Sequence, residues 1–222
     1  MKIEIKNITK KYGKHRVLKD ITFTAEAGQC IGILGSNGCG KSTLLSILAG
    51  IQPGDGGQFL YEGKDLFHYK RQRETLVGYV PQGTPLIEEL TALDNLSLWY
   101  SKKELAAQLE KGVLQQLNIG EFLKTPVNKM SGGMKKRLSI ACALAHRPPV
   151  LILDEPTAAL DLVCRQYIAR YIKNYKKDGG IVLIATHDIA EIQLCDQLYI
   201  MKDGVLHPFV FDGDAESIVK EL

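Results

Sequence analysis

Near the start of the chain, apolar and polar positions alternate. Ile3 and Ile5 are interleaved with Lys2, Glu4 and Lys6, and Asn7 continues the spacing, which predicts a half-buried strand. Residues 17–25 and 30–34 predict two further strands, with Gly13 and Gly28 as turn punctuation. A Gly-rich stretch at 35–40 then leads into helical apolar spacing over 41–49. Gly50 stops that helix, and Pro53-Gly54-Asp55-Gly56-Gly57 forms a loop. Residues 58–61 and 77–80 read as another pair of strands.

From about 84 to 130 the texture changes. Strand alternation is missing, and helices are predicted over 91–100 and 103–117, as in a helical lobe inserted into a sheet domain. Beyond 129, helices and short apolar strands take turns: helix 133–145 before strand 150–153, and helix 161–176 before strand 181–185. Short β-branched runs separated by helices predict a parallel sheet covered on both faces. The tail predicts a hairpin around Asp203-Gly204 and a final helix. The expected class is α/β, with a mainly parallel sheet, an N-terminal antiparallel β subdomain and an inserted helical subdomain. Residues 1–222 are expected to form one domain.

Composition narrows the function. With 222 residues, 45% of them apolar, the chain can bury a substantial core. A net charge of +3, from 28 basic and 25 acidic residues, is too even to point to nucleic acid, and no such partner is expected. No run of about 18 apolar residues could span a membrane. The alternating N-terminus lacks the continuous apolar stretch of a signal peptide, so a cytoplasmic location is expected. The five cysteines show no paired spacing, which fits reduced thiols.

One motif carries chemistry by itself, and a second, an acidic pair that alone would read as a helix cap or solvated turn, does so in combination with it. Gly35-Ser36-Asn37-Gly38-Cys39-Gly40-Lys41-Ser42 has the phosphate-loop pattern, between a predicted strand and a predicted helix. Its glycines let backbone N–H groups curl around phosphate oxygens, and the helix N-terminus adds its dipole. Lys41 is placed to reach the β- and γ-phosphates, Ser42 to hold Mg2+, and Thr43 to add a hydroxyl contact. Downstream, Val150-Leu151-Ile152-Leu153 ends in Asp154 and Glu155. Parallel strands present ligands at their carboxyl ends, so Asp154 can face the metal and Glu155 an attacking water.

Between these motifs lies Met130-Ser131-Gly132-Gly133-Met134. It resembles the LSGGQ signature of ATP-binding cassette (ABC) proteins. Other positions agree in order and spacing. Tyr12 resembles the aromatic that stacks on adenine, Gln82 the Q-loop glutamine, Ala159-Leu160-Asp161 the D-loop and His187 the switch histidine. The resemblance runs from about residue 2 to 205. It implies a P-loop NTPase core that hydrolyses Mg-ATP. In that reading Glu155 is the base and His187 positions the water. Lys41 and the loop N–H groups stabilise charge, and Ser42, Gln82 and Asp154 surround the metal. Ser131, Gly132 and Gly133 would cap the γ-phosphate held by a second subunit, in a head-to-tail dimer, a homodimer being sufficient.

The chain departs from the signature at Met130 and Met134, and three basic residues follow, Lys135-Lys136-Arg137. An SGGM followed by such a triplet is similar to the ABC-2 exporter branch; a solvated helix face is the other reading of the triplet. Leu90, Leu93, Leu96, Leu98, Trp99 and Tyr100 form either lobe core or a groove for a membrane partner. The function implied is the ATP-hydrolysing subunit of a membrane transporter, an exporter, held by a separate permease on the cytoplasmic face of the membrane. The alternative is a soluble ABC ATPase, such as one serving iron–sulfur cluster assembly.

Overall fold

The computed structural model describes all residues from Met1 to Leu222, and its strands fall into two sheets. The first is antiparallel. It contains β1 (Lys2–Tyr12), β2 (His15–Glu26), β4 (Gly56–Tyr61) and the short β5 (Lys64–Asp65), in the order β2-β1-β4-β5. Ile3 and Ile5 point into the core as the alternation predicts, but the spacing does not continue through Asn7. Asn7 takes a left-handed conformation (φ 54°), the register shifts between Ile5 and Ile8, and Ile8 is the next buried residue. A bulge of this kind re-aims the strand by one residue.

The second sheet has the order β10-β9-β3-β8-β7-β6. Its members are β3 (Cys30–Leu34), β6 (Val77–Val80), β7 (Val150–Asp154), β8 (Ile181–Ala185), β9 (Gln197–Lys202) and β10 (Val205–Phe209). All neighbours run parallel except the terminal hairpin of β9 and β10. The segments 58–61 and 77–80 therefore do not pair. The first joins β1 in the antiparallel sheet, and the second pairs with β7 at the edge of the parallel one.

Both faces of the parallel sheet are covered, which is why its strands read as continuous apolar runs. Ile31, Ile33, Val150, Ile152, Ile181 and Leu183 face α1 (Lys41–Ala49), which lies between the two sheets. Cys30, Leu151, Leu153, Val182 and Ile184 face a helical layer. In chain order that layer holds α3 (Ala92–Ser97), α4 (Lys102–Lys111), α5 (Val113–Gln116), α6 (Gly132–Ala143) and α7 (Leu162–Lys177).

The helical segment differs in detail from the expectation. Thr91 and Asp94 form a capping box, so α3 starts at Ala92, and it ends at Ser97. The predicted helix 103–117 is two helices, because Gly112 is fully extended and the Gln108 side chain accepts from Val113 N. Helix α2 (Lys70–Leu76) is not anticipated at all; its sequence is KRQRETL and it buries no residue, so it has no apolar period to detect. Two short helices complete the chain, α8 (Ile189–Ile192) and α9 (Ala215–Glu221). No helix is long and apolar enough to cross a membrane. All five cysteines are free, although the thiols of Cys30 and Cys195 pack at 3.7 Å.

The basic triplet is not a solvated face. Lys136 and Arg137 are buried, and only Lys135 reaches outward, to Glu88 at 3.4 Å. The Arg137 guanidinium lies between the rings of Phe122 and Tyr167, at 4.9 and 5.0 Å, and donates to Leu117 O at 3.1 Å. It thus pins the lobe to α6 and α7. Met134 is half-buried against the same apolar core.

Candidate functional site

Four adjacent parallel strands, β3, β8, β7 and β6, end along one edge of the sheet. After β3 comes the loop from Gly35 to Gly40 and then α1. The strand and helix are fixed by their buried apolar residues, so the loop must turn sharply between them. Gly35 has φ 154°, and a Cβ there would come within 2.7 Å of Met201 O on the neighbouring strand β9. Gly40 has φ 116° and stands at the N-cap of α1, where no side chain caps the helix. The first-turn N–H groups of an uncapped helix are free for an anion. Lys41 is buried, and its Nζ donates to Gly35 O at 2.6 Å and Ser36 O at 3.2 Å, spanning the loop. Ser36, Asn37, Gly38 and Ser42 are exposed, and Cys39 and Thr43 are half-buried.

Strand β7 delivers Asp154, which is 2% exposed. Burial raises its carboxyl pKa, and the Ser42 hydroxyl works the other way by hydrogen-bonding it. A hydroxyl and a desolvated carboxylate side by side make a hard-oxygen donor pair that suits Mg2+, which would relieve the carboxylate.

Glu155 follows in the left-handed region (φ 47°), its N–H bonded to Ala185 O at 2.9 Å. A non-glycine residue there is strained, and such outliers gather at functional sites. The turn aims the carboxylate between two neighbours. From β6, Gln82 donates its side-chain N–H to Glu155 Oε2 at 3.0 Å, which leaves its own carbonyl oxygen uncommitted. From β8, His187 places Nε2 at 3.6 Å from Glu155 Oε1. Burial lowers the His187 pKa and Lys41 lowers it further, against the pull of Glu155. A cavity of about 210 Å³ opens beside Glu155 and His187, with Thr157, Thr186 and Glu191 on its wall.

The sequence-predicted residues thus divide into groups. Lys41, Ser42, Gln82, Asp154, Glu155 and His187 come together at this edge. Tyr12 stands apart and half-exposed, with Lys10 Nζ 5.4 Å from its ring centroid. It connects to α1 through a relay: its hydroxyl donates to Gln52, Gln52 to Ser46, and Ser46 to Thr43 O. Ser131, Gly132 and Gly133 begin α6. The Ser131 hydroxyl accepts from Met134 N at 3.3 Å, as an N-cap should. A Cβ on Gly133 would strike Cys164 Sγ at 2.2 Å, so the motif packs on the start of α7. Asp161, at the predicted D-loop, caps α7 by accepting from Cys164 N at 2.9 Å.

Sequence reading missed two buried charges here. Lys136 was legible only as part of a basic run. Glu191, 3% exposed and bonded by Thr186, lies on the short helix α8, where an acidic residue in a first turn carries no distinguishing signal.

The chain is similar to proteins of known family. Residues 18–158 match the family described as ABC transporter. The chain is 35% identical over 207 residues to the linearmycin resistance ATP-binding protein LnrL of Bacillus subtilis, covering 91% of this chain and 67% of that protein. It is 32% identical to the sulfate/thiosulfate import ATP-binding protein CysA of Neisseria meningitidis, covering 100% of this chain and 64% of that one. It therefore spans about two thirds of the length of these curated relatives. A solved dimeric, post-hydrolysis ATP-binding cassette bound to ADP and Pi superposes with a TM-score of 0.80 at 30% identity, over 96% of this chain and 100% of that one.

Proposed function

Because this chain belongs to the ABC transporter family, whose ATP-binding proteins are ATPases, we propose that it binds and hydrolyses ATP to power a membrane transporter, in the direction of export. The observation that carries this reading is the Glu155 carboxylate held between Gln82 and His187 beside the phosphate loop. In it, the loop N–H groups and Lys41 bind the β- and γ-phosphates, and Tyr12 stacks on the base. Glu155 accepts a proton from the attacking water, and neutral His187 hydrogen-bonds the γ-phosphate and fixes the water's direction. Ser42, Asp154 and the Gln82 carbonyl would hold Mg2+, which when bound neutralises phosphate charge.

We read residues 1–222 as one ABC ATP-binding domain that acts as a head-to-tail homodimer. Ser131, Gly132 and Gly133 of one copy then face the nucleotide of the other; that a cassette similar to this chain is dimeric supports a dimer. A separate permease is the membrane partner, on the cytoplasmic face. Exposed Ile87, Leu98 and Trp99 on the helical segment support a docking surface for it, while Leu96 and Tyr100 fill the lobe core. The export direction rests on the SGGM-Lys-Lys-Arg run and on likeness to a resistance protein, set against comparable likeness to an importer. The names of these relatives favour transport over iron–sulfur cluster assembly.

The test is recovery of tagged chain from detergent-solubilised native membranes, followed by identification of what binds and ATP-driven flux in vesicles rebuilt with it. A multi-helix permease and outward flux are expected. Only soluble companions, with the chain absent from membranes, would overturn the transporter reading, and inward flux would overturn the direction.

A further inference from the structure

We propose that Lys136 is a positioning residue that ties the start of α6 to the Gln82 loop and, through that loop, sets the aim of Glu155. The inference rests on the ATPase site proposed above. Lys136 is 4% exposed. Its Nζ donates at 2.9 Å to Pro81 O and at 2.9 Å to Gln82 O, the two carbonyls at the exit of β6. Residues 81–83 make no backbone–backbone hydrogen bond of their own. The ammonium group is therefore the tie on the backbone that carries the Gln82 side chain, and that side chain in turn donates to Glu155.

The charge has a reason to be there. Burying an ammonium is costly unless it is paired and hydrogen-bonded. Here two carbonyls satisfy it, and Asp154, Glu191 and Glu155 surround it with opposite charge. The same helix begins five residues earlier with the Ser131 cap. One rigid turn of α6 thus joins the motif proposed to meet the partner's nucleotide to the glutamine that touches the base of its own site. A neutral side chain of similar length would fill the space but leave the loop untethered.

The experiment measures multiple-turnover phosphate release by the full chain with Mg-ATP, for Lys136→Met, Gln82→Ala and the double variant. Lys136→Met keeps the stem and removes the donors. Its kcat is expected to fall roughly 10- to 100-fold with KM for ATP within about twofold, because misaiming a catalytic group costs turnover rather than binding. In the double variant kcat should be no lower than in Gln82→Ala alone, since residues acting as one unit are not additive. Unchanged kcat in Lys136→Met, a rise in KM alone, or fully additive losses would each overturn the proposal. Should Lys136→Met not fold, Lys136→Leu, which also removes the donors, carries the same comparison. Glu155→Gln, run in parallel, separates the two readings: if it keeps wild-type turnover, the site assignment fails whatever Lys136 does.

Discussion

The side-chain amide of Gln82 donates to Oε2 of Glu155 at 3.0 Å, although the two residues are 73 positions apart. The contact exists because β6 and β7 are neighbours and parallel, so their carboxyl ends meet. It restrains a carboxylate whose backbone already sits in a strained conformation. His187, just beyond β8, places Nε2 3.6 Å from the other oxygen, beyond hydrogen-bond length. Gln82 thus fixes one oxygen of Glu155 by a hydrogen bond, and His187 stands beside the other.

Glu155→Gln should reduce phosphate release by roughly a thousandfold, since the proton acceptor is lost while the shape is kept. ATP binding should survive, and an ATP-bound dimer should accumulate in size-exclusion chromatography with Mg-ATP. Wild-type turnover would falsify the assignment of Glu155 as base.

The pH profile should report His187. Burial and Lys41 lower its pKa, so the imidazole stays neutral to a lower pH than a free one. Turnover is expected to be level through neutral pH and to fall on acidification below the ordinary histidine value of 6.5. His187→Gln should lose that part of the acid limb. A limb centred above 6.5 that persists in His187→Gln would count against the role.

Asp154→Asn should raise the melting temperature of the nucleotide-free chain while lowering turnover in Mg-ATP at least tenfold, as removal of a metal ligand does. The folded-state pKa of Asp154 is raised, mainly by burial, so ionisation at neutral pH destabilises the fold relative to the unfolded chain. The gain from Asn should therefore shrink as pH falls through the carboxylate range and Asp154 itself becomes neutral. Thermal melts at neutral and acid pH check both statements.

Arg137→Ala should destabilise the chain by about 2–4 kcal/mol in denaturant unfolding, because two ring contacts and the bond to Leu117 O are lost inside the core. Arg137→Lys should recover only part of this, since an ammonium cannot stack between two rings as a planar guanidinium does. Full recovery would remove stacking as the cause.

Alkylation of Cys39 should block nucleotide binding, and ATP should protect against it. The Cys39 thiol packs against Gly35 within the phosphate loop, where a Cβ on that glycine would lie 2.6 Å from the sulfur. Added bulk there must distort the loop. Unchanged ATP affinity with the modification mapped to Cys39 would refute this.

The sequence by itself determined the elements whose local pattern and burial agree. The strands at 150–153 and 181–185 are apolar on every position because both faces are covered, and the Gly-rich loop between strand and helix marks itself by composition. The order of Lys41, Gln82, Asp154, Glu155 and His187 along the chain was equally legible, as motifs at strand ends. What the tertiary structure decided was adjacency. The spatial order β3-β8-β7-β6 differs from the chain order, and it alone puts Gln82 and His187 on opposite oxygens of Glu155. It also separated 58–61 from 77–80, which look alike as short strands because periodicity reports the face buried and not the partner. The triplet after the signature shows the same limit most plainly. Lysine and arginine read as polar in any window, yet Lys136 and Arg137 are buried, because segments far away in the chain supply two carbonyls to the Lys136 ammonium and one carbonyl and two rings to the Arg137 guanidinium, whose Nε keeps no partner.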